Sequence, residues 1–457
     1  MRTPITLVWF RRDLRLFDNT ALQTAVRRGQ PVAGVFVLEN GARNRRRASF
    51  AYDSAAALRT ALAAKNVPLH VLGGQPQTEI PRLAHRLGAS AVVYAEDYAP
   101  QAVERDNRVW LALAEAGIEA ERADDFAVLP KAAVMAHNGR PFTAFEPYKN
   151  AWLQTYAQRF GDWQPNDDWA ALAALQARLP AAARETPPLP EPSALGFDYL
   201  HTAFEGGEAA AQKQLARFWA QIGGYRLSRD FPAQNGTARL SPYLGLGLLS
   251  PRHLVRLARQ HGGEDADTWL NGLIWREFFQ QAAYHRAEVA GGVVGADGIP
   301  WENNAAWFER WKEGLTGYPL VDAAMRQLKH GGWMHGRLRM LAAGFLVHGL
   351  LIDPRWGEAW FAEQLVDFDE AANSGGWRLA AASAPQHPVL QSQKFDPDGR
   401  FIRRHVPELA HLGKDIVHTP WLAHAEIDSH GYPAPAADYA AQRRKAQALL
   451  RHTKEAV

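Results

Sequence analysis

Short apolar runs alternate with stretches of helical periodicity through the first part of the chain. The runs at residues 5–10 (ITLVWF), Val32–Leu38, Pro68–Leu72, Ala91–Tyr94 and Ile118–Arg122 predict strands. Between them, Asn19–Arg28, Tyr52–Lys65, Glu79–Leu87 and Gln101–Ala116 carry the spacing of helices packed on one face. This alternation predicts an α/β unit, a doubly wound parallel sheet of about five strands. Ligands of such sheets sit beyond the carboxyl ends of the strands.

The pattern changes at 161–197, where Ala-rich helix gives way to ETPPLPEPSALG, a proline-rich connector. From Phe204 onward the pattern is helical, without strand alternation. The expected organisation is therefore an α/β domain over 1–130, a connector over 131–200 and an all-α domain over 201–457. Within the last, Gly317–Met340 (GYPLVDAAMRQLKHGGWMHGRLRM) stands out. Val321, Ala324, Met325 and Leu328 form one apolar stripe, Pro319 suits a first helical turn, and Gly331-Gly332 supplies a stop. Trp333, His335, Arg337 and Arg339 follow, then a second apolar helix through Leu351.

Composition narrows the chemistry. The 457 residues are 47% hydrophobic and 22% charged, with a net charge of +3, which fits a globular protein and permits a nucleic-acid face without demanding one. No cysteine is present, which excludes disulfides, thiolate metal sites and cysteine nucleophiles. The N-terminus lacks a signal-peptide apolar core and no run reaches transmembrane length, so a cytoplasmic protein with no membrane partner is expected.

Three segments carry candidate chemistry. After the first strand, Arg11, Arg12 and Arg15 stand where a GxGxxG would be needed for a nicotinamide dinucleotide, so that fingerprint is absent. Thr237, Arg239 and Ser241 gather two hydroxyls and a guanidinium before a helix, which suits a pyrophosphate or simply an N-cap. Asp367 and Asp369 suit a hard metal, helix caps, or hydrogen bonds to a cofactor. A helix capped near Asp267 carries Trp269, Leu273 and Phe279 as core candidates, and the basic run Arg43, Arg45, Arg46, Arg47 is read as a solvated loop.

WFRRDLRL, RLSPYL, IWREF, TGYPLVDAAMRQL, GWMHGRLRM and NSGGW occur in this order across both domains. In them the chain resembles the photolyase/cryptochrome family, and in particular its class I cyclobutane pyrimidine dimer DNA photolyases. The resemblance implies flavin adenine dinucleotide (FAD) in the helical domain and blue-light chemistry. It assigns the FAD phosphates to Tyr225, Thr237, Ala238, Arg239, Leu240 and Ser241, and the flavin pocket to Trp269, Arg339, Asp367, Phe368, Asp369 and Asn373. Asn373 takes the position facing flavin N5, where a neutral amide can accept from a protonated nitrogen or donate to a bare one. The family passes electrons along three tryptophans. Trp301 matches the outer and Trp377 the inner; the middle falls on Pro354, with Trp356 and Trp360 nearby as replacements. The pocket for damaged DNA bases maps to Gly272, Trp275, Arg276, Gly336 and Arg337. An antenna chromophore is also implied: Ala102 replaces the glutamate that holds a folate, so a deazaflavin, a second flavin or none is expected.

The departures fall on the substrate side. The pattern NELIWREF reads NGLIWREF here, which puts Gly272 in place of a dimer-binding glutamate. GWMHNRLRM reads GWMHGRLRM, with Gly336 in place of an asparagine, and the second tryptophan of GGWQW is Leu379. A DNA-contacting loop is replaced by the shorter APQHPVLQSQ. The bland reading of each glycine is drift or close helix packing; against it, two glycines in place of two polar groups enlarge the pocket. The expectation is a cryptochrome-like FAD flavoprotein with weak or lost dimer repair and an unidentified signalling partner. The alternatives are an active DNA photolyase acting on UV-damaged DNA through a divergent pocket, and a non-photochemical nucleic-acid-binding scaffold.

Overall fold

The structure is a computed structural model describing residues 3–39, 43–165, 169–286, 299–422 and 430–455. The chain forms two compact units: Met1–Gly223 with Ala238–Val289, and Gly224–Thr237 with Ala290–Val457.

The first unit holds a parallel sheet of β1 (Ile5–Phe10), β2 (Val32–Leu38), β3 (Leu69–Gly73), β4 (Ala89–Ala95) and β5 (Glu119–Ala123), ordered β3-β2-β1-β4-β5. Every residue of β1 and β2 is buried, which is why these strands read as unbroken apolar runs. The connecting helices are α1 (Thr20–Arg27), α2 (Arg45–Ala63), α3 (Pro76–Leu87) and α4 (Pro100–Glu115). The basic run read as a loop is corrected here: Asn44 accepts a hydrogen bond from the Arg47 amide, so Arg45, Arg46 and Arg47 form the first turn of α2.

The proline-rich stretch packs onto this unit; its residues 166–168 lie outside the described residues. Leu172, Leu175, Leu179 and Leu195 are buried. Gln176 pairs with both backbone groups of Val32 at 2.8 Å each, extending the pairing at the start of β2. After β5, helix α5 (Phe145–Phe160) and the helix Gly263–Arg286, which starts ahead of Asp267, are joined through Glu277. This buried carboxylate accepts from Val128 N (2.8 Å), Leu129 N (3.2 Å) and the Trp152 indole (2.7 Å). Burial pushes it up to about 7 against the pull of these donors.

The second unit is helical: Ala305–Glu313, Pro319–Gly331, Gly336–Gly349, Pro354–Gln364, Glu370–Ala382, Pro388–Phe395 and Tyr439–Glu455. Pro319–Gly331 has its stripe Val321, Ala324, Met325 and Leu328 fully buried. It ends on Gly332, whose φ of 67° is the left-handed cap that glycine adopts at little cost. Asp322 in its first turn accepts from the amide and hydroxyl of Thr316 (2.7 and 2.6 Å), from Gly317 N (2.9 Å) and from the Tyr432 hydroxyl. The TGYPLVD motif is thus a buried polar clamp. The segment APQHPVLQSQ is only partly a loop, because from Pro388 it is helical.

Candidate functional site

A cleft in the helical unit gathers five predicted residues: Arg339, Asp367, Asp369, Asn373 and Trp377. About 420 Å³ of space free of protein atoms lies in it, open solvent at its mouth included. Asp369 caps the helix Glu370–Ala382 by accepting from Ala372 N at 2.9 Å, which projects Asn373 and Trp377 from the turns that follow. Arg339 lies on Gly336–Gly349, donates through Nε to the Met334 carbonyl (2.9 Å) and through Nη2 to Asp367 Oδ2 (2.7 Å). The Asp367 side chain is 1% exposed, and its Oδ1 is buried with no partner. Buried acceptors are rarely left bare. Asn373 is fixed by donating to the Glu358 carbonyl at 3.0 Å. Among the described residues no cluster of three or more His, Asp or Glu could hold a metal.

Trp377 forms one wall. Its ring packs 5.1 Å from Phe361 and 6.2 Å from Trp311, and its buried indole nitrogen has no partner. Room for it comes from Gly357, where an added Cβ would lie 2.0 Å from Trp377 Cη2. A bare buried carboxylate oxygen, a guanidinium, a neutral amide and an indole wall make a donor set suited to a planar heteroaromatic ring bearing an imide N–H. These residues fit the flavin ring of FAD.

The other residues that the resemblance assigns to the cofactor are placed as follows. In the α/β-containing unit, Arg239 has a left-handed backbone (φ 52°) just before the short helix Ser241–Gly245, with Leu240 at its N-cap position. A non-glycine residue in that region is uncommon and concentrates at functional segments. Its guanidinium lies 5.3 Å from the Phe204 ring, and burial lowers its pKa. The Ala238 carbonyl accepts from Gln214 at 2.9 Å. Trp269 is 5% exposed and packs against Phe218 and Trp219 at 5.3 and 5.4 Å. In the helical unit Tyr225 opens the short helix Tyr225–Ser228, Thr237 is half-buried, and Phe368 packs on the helical core.

The substrate-side residues look different. Gly272 and Gly336 are both exposed, and a Cβ added at either meets no atom within 4 Å. Close helix packing, one of the two explanations offered by the sequence, is therefore excluded. His335 caps the helix at Gly336 by accepting from Arg337 N (3.1 Å); burial pushes its imidazole down to about 4, and its Nε2 has no hydrogen-bond partner. Trp275 stacks on Phe145 with centroids 3.9 Å apart. Arg276 lies 5.3 Å from the Phe126 ring, and Arg337 is paired with Asp230 at 2.8 Å. Leu379 is 41% exposed.

Of the electron-transfer candidates, Trp301 and Trp360 are partly buried against the helical core and Trp356 is at the surface, 5.2 Å from Phe308. Trp311 was not singled out from the sequence, although Trp307, Phe308 and Trp311 fall at helical spacing on one face. In the sheet unit, Arg11 lies 4.5 Å from the Trp9 ring and pairs with Asp106 beyond the carboxyl ends of β1 and β4.

Two family models match the chain: DNA photolyase over residues 6–168, and the FAD binding domain of DNA photolyase over residues 269–452. A deoxyribodipyrimidine photo-lyase of Vibrio cholerae is 38% identical, with 98% of this chain and 99% of that protein covered. Among solved structures, a bacterial class III photolyase from Agrobacterium tumefaciens has a TM-score of 0.85 at 29% identity, covering 100% of this chain and 98% of that one. An archaeal photolyase from Sulfolobus tokodaii, solved with two FAD molecules, has a TM-score of 0.81 at 30% identity over 98% and 99% of the two chains.

Proposed function

The chain belongs to the photolyase/cryptochrome family, and from that premise we propose that it is a blue-light flavoprotein, photoreduced through tryptophans, whose repair of cyclobutane dimers is weak or lost. FAD, when bound, supplies the light absorption and the one-electron chemistry. Arg339, Asp367, Asp369 and Asn373 are the residues proposed to hold its flavin ring, with Phe368 and Trp269 as apolar support. Tyr225, Thr237, Ala238, Arg239, Leu240 and Ser241 are proposed for its phosphates on the family correspondence. Asp367 Oδ1 would accept a hydrogen bond from the imide N–H, and the neutral Asn373 would leave N5 free to gain or lose a proton. Trp377 is the proposed flavin-proximal electron donor.

The observation that carries the loss of repair is the open space at Gly272 and Gly336. A flipped dimer must recover an unstacking cost of a few kcal/mol through contacts in its pocket. A hydrogen bond to a charged group contributes roughly 1.5–3 kcal/mol, so losing one such partner, as at Gly272, costs ~10-fold or more in affinity or rate. The test is loss of dimer absorbance in irradiated oligothymidine under blue light, with the flavin fully reduced. Little or no repair is expected, and Gly272→Glu with Gly336→Asn should restore part of it. Repair by the unmodified protein at an ordinary photolyase rate would overturn the reading.

That outcome would favour the second reading, an active DNA photolyase with a divergent pocket. Its support is the full-length similarity to a deoxyribodipyrimidine photo-lyase and the retention of Trp275, Arg276 and Arg337 on the substrate side. UV-damaged DNA is then the partner; under the first reading a signalling partner takes its place. For the antenna we keep a deazaflavin, a second flavin or none, because Ala102 leaves a folate without its glutamate. No helix among the described residues is long and apolar enough to cross a membrane, and we propose a cytoplasmic location. The functional division 1–130, 131–200 and 201–457 stands as part of this proposal.

A further inference from the structure

Pro354, at the middle position of the family's tryptophan chain, opens the helix Pro354–Gln364 and offers no ring that can be oxidised. Trp377 nevertheless has an indole neighbour. Trp311 lies 6.2 Å away, centroid to centroid, and Phe361 touches both rings, at 5.1 Å from Trp377 and 5.8 Å from Trp311. On its other side Trp311 stacks on Phe308 at 5.8 Å with planes 15° apart, and Phe308 meets Trp356 at 5.2 Å. Trp311 is fully buried, whereas Trp356 is 36% exposed. The column therefore runs without a break from the cleft wall to solvent.

We infer that electrons reach Trp377 from solvent through Trp356 and Trp311, with Phe308 as a bridge, bypassing Pro354. This rests on the photoreduction reading above. Tunnelling falls off exponentially with the gap between rings, so rings in contact are the favoured steps. Phenylalanine is too hard to oxidise to hold a hole, and it serves only as the medium between two indoles.

The protons decide where the hole stops. Trp377 gives one electron to the photoexcited flavin, Trp311 refills Trp377, and Trp356 refills Trp311. The Trp311 indole N–H donates to the Ala342 carbonyl at 3.1 Å, and a backbone carbonyl cannot take its proton. The Trp377 N–H has no partner at all. Both rings therefore stay protonated when oxidised and pass the hole outward. At the surface Trp356 loses its indole proton to water and keeps the hole as a neutral radical. One electron and one proton from a thiol in solution restore it. Trp360 is the poorer exit, because the Lys312 ammonium sits 4.9 Å from its ring and opposes a positive hole there.

The experiment is transient absorption and spin resonance of the flavin-loaded protein after a blue flash, which reads the tryptophan radicals themselves. Wild type should form a protonated radical that converts to a long-lived deprotonated one. W356F should lose the long-lived species and keep the early one. W311F should lose the long-lived species, and adding P354W to W311F should bring back outward transfer. W360F should match wild type. A long-lived radical undiminished in W356F, or lost in W301F while retained in W356F, overturns the route. Trp356 is at the surface, so its variant decides the matter even if W311F folds poorly. If wild type with FAD bound forms no tryptophan radical, the photoreduction reading itself falls; if it does and W377F does not, while W311F matches wild type, only the route falls.

Discussion

The flavin-side cleft and the substrate-side glycines are built on opposite terms. Around the cleft several side chains are fixed by a neighbour: Asp369 is a cap, Arg339 is tied to Met334 and Asp367, and Asn373 is tied to Glu358. Gly357 is there because Trp377 fills the space a side chain would need. At Gly272 and Gly336 nothing fills that space. A glycine that yields room to a ring is part of a packed design. Gly272, inside the helix Gly263–Arg286, has given up helix stability, up to ~1 kcal/mol, without a packing return, and Gly336 opens its helix facing empty space. The contrast is between a cleft whose residues hold one another and two helix positions where nothing is held.

The sharpest way to break this contrast is to remove the cation of the cleft. Arg339→Ala leaves Asp367, with its side chain 1% exposed, as a buried charge without its partner. Losing one member of a buried pair costs about 3–5 kcal/mol. The expected result is a large fall in the urea midpoint and in the flavin-to-protein ratio, with Arg339→Lys intermediate. A variant that purifies with full flavin and unchanged stability would mean the cleft is not held by this pair.

The same substitution at two glycines sharpens the contrast. Gly357→Ala places a methyl 2.0 Å from Trp377 and should destabilise by about 1–3 kcal/mol, with a loss of bound flavin as the ring is displaced. Gly272→Ala lies within the helix Gly263–Arg286, meets no atom, and should stabilise by about 0.5–1 kcal/mol through helix propensity. Thermal midpoints of the two variants, read beside their flavin content, check both signs. Equal destabilisation at the two sites would show that Gly272 is also packed.

How much of this was legible in the sequence depends on how local its cause is. β1 and β2 were visible because each is a run of wholly buried residues, and Pro319–Gly331 because its stripe and its glycine stop are local. The start of α2 was missed because a cap by Asn44 precedes arginines that look like loop. The packing of the Ala-rich stretch was not legible, because nothing local shows what Leu172, Leu175 and Leu179 are buried against. Asp322 was invisible as a clamp because one of its donors, Tyr432, is distant in sequence. The cleft residues were readable from the resemblance, but not the bare oxygen of Asp367. Trp311 differs: it matches no position of the family's tryptophan chain, although its spacing from Trp307 and Phe308 is local.

The smallest effect tests whether the surroundings of Gly336 are dry or wet, and His335 is its reporter. Its ring is 4% exposed, burial holds it at about 4 against an ordinary 6.5, and the backbone of Arg229 and the charge of Asp230 pull weakly the other way. The folded protein therefore keeps the imidazole neutral while the unfolded chain takes up a proton below 6.5. Its contribution is full above the unfolded value and is lost as pH falls toward the folded one. Between about pH 7 and about pH 6 the loss should be roughly 0.7 kcal/mol. Wild type alone cannot show it, because Glu277 acts with the opposite sign: raised to about 7, it loses stability as pH rises from 4.5 toward that value. The difference between wild type and His335→Asn isolates the histidine, since asparagine keeps an acceptor for the Arg337 amide at the cap. Denaturant midpoints at the two pH values should diverge by that amount, and an NMR titration should place the imidazole well below its ordinary range. A titration near 6.5 would mean that water reaches Nε2, and that the space left by Gly336 is hydrated down to the helix cap.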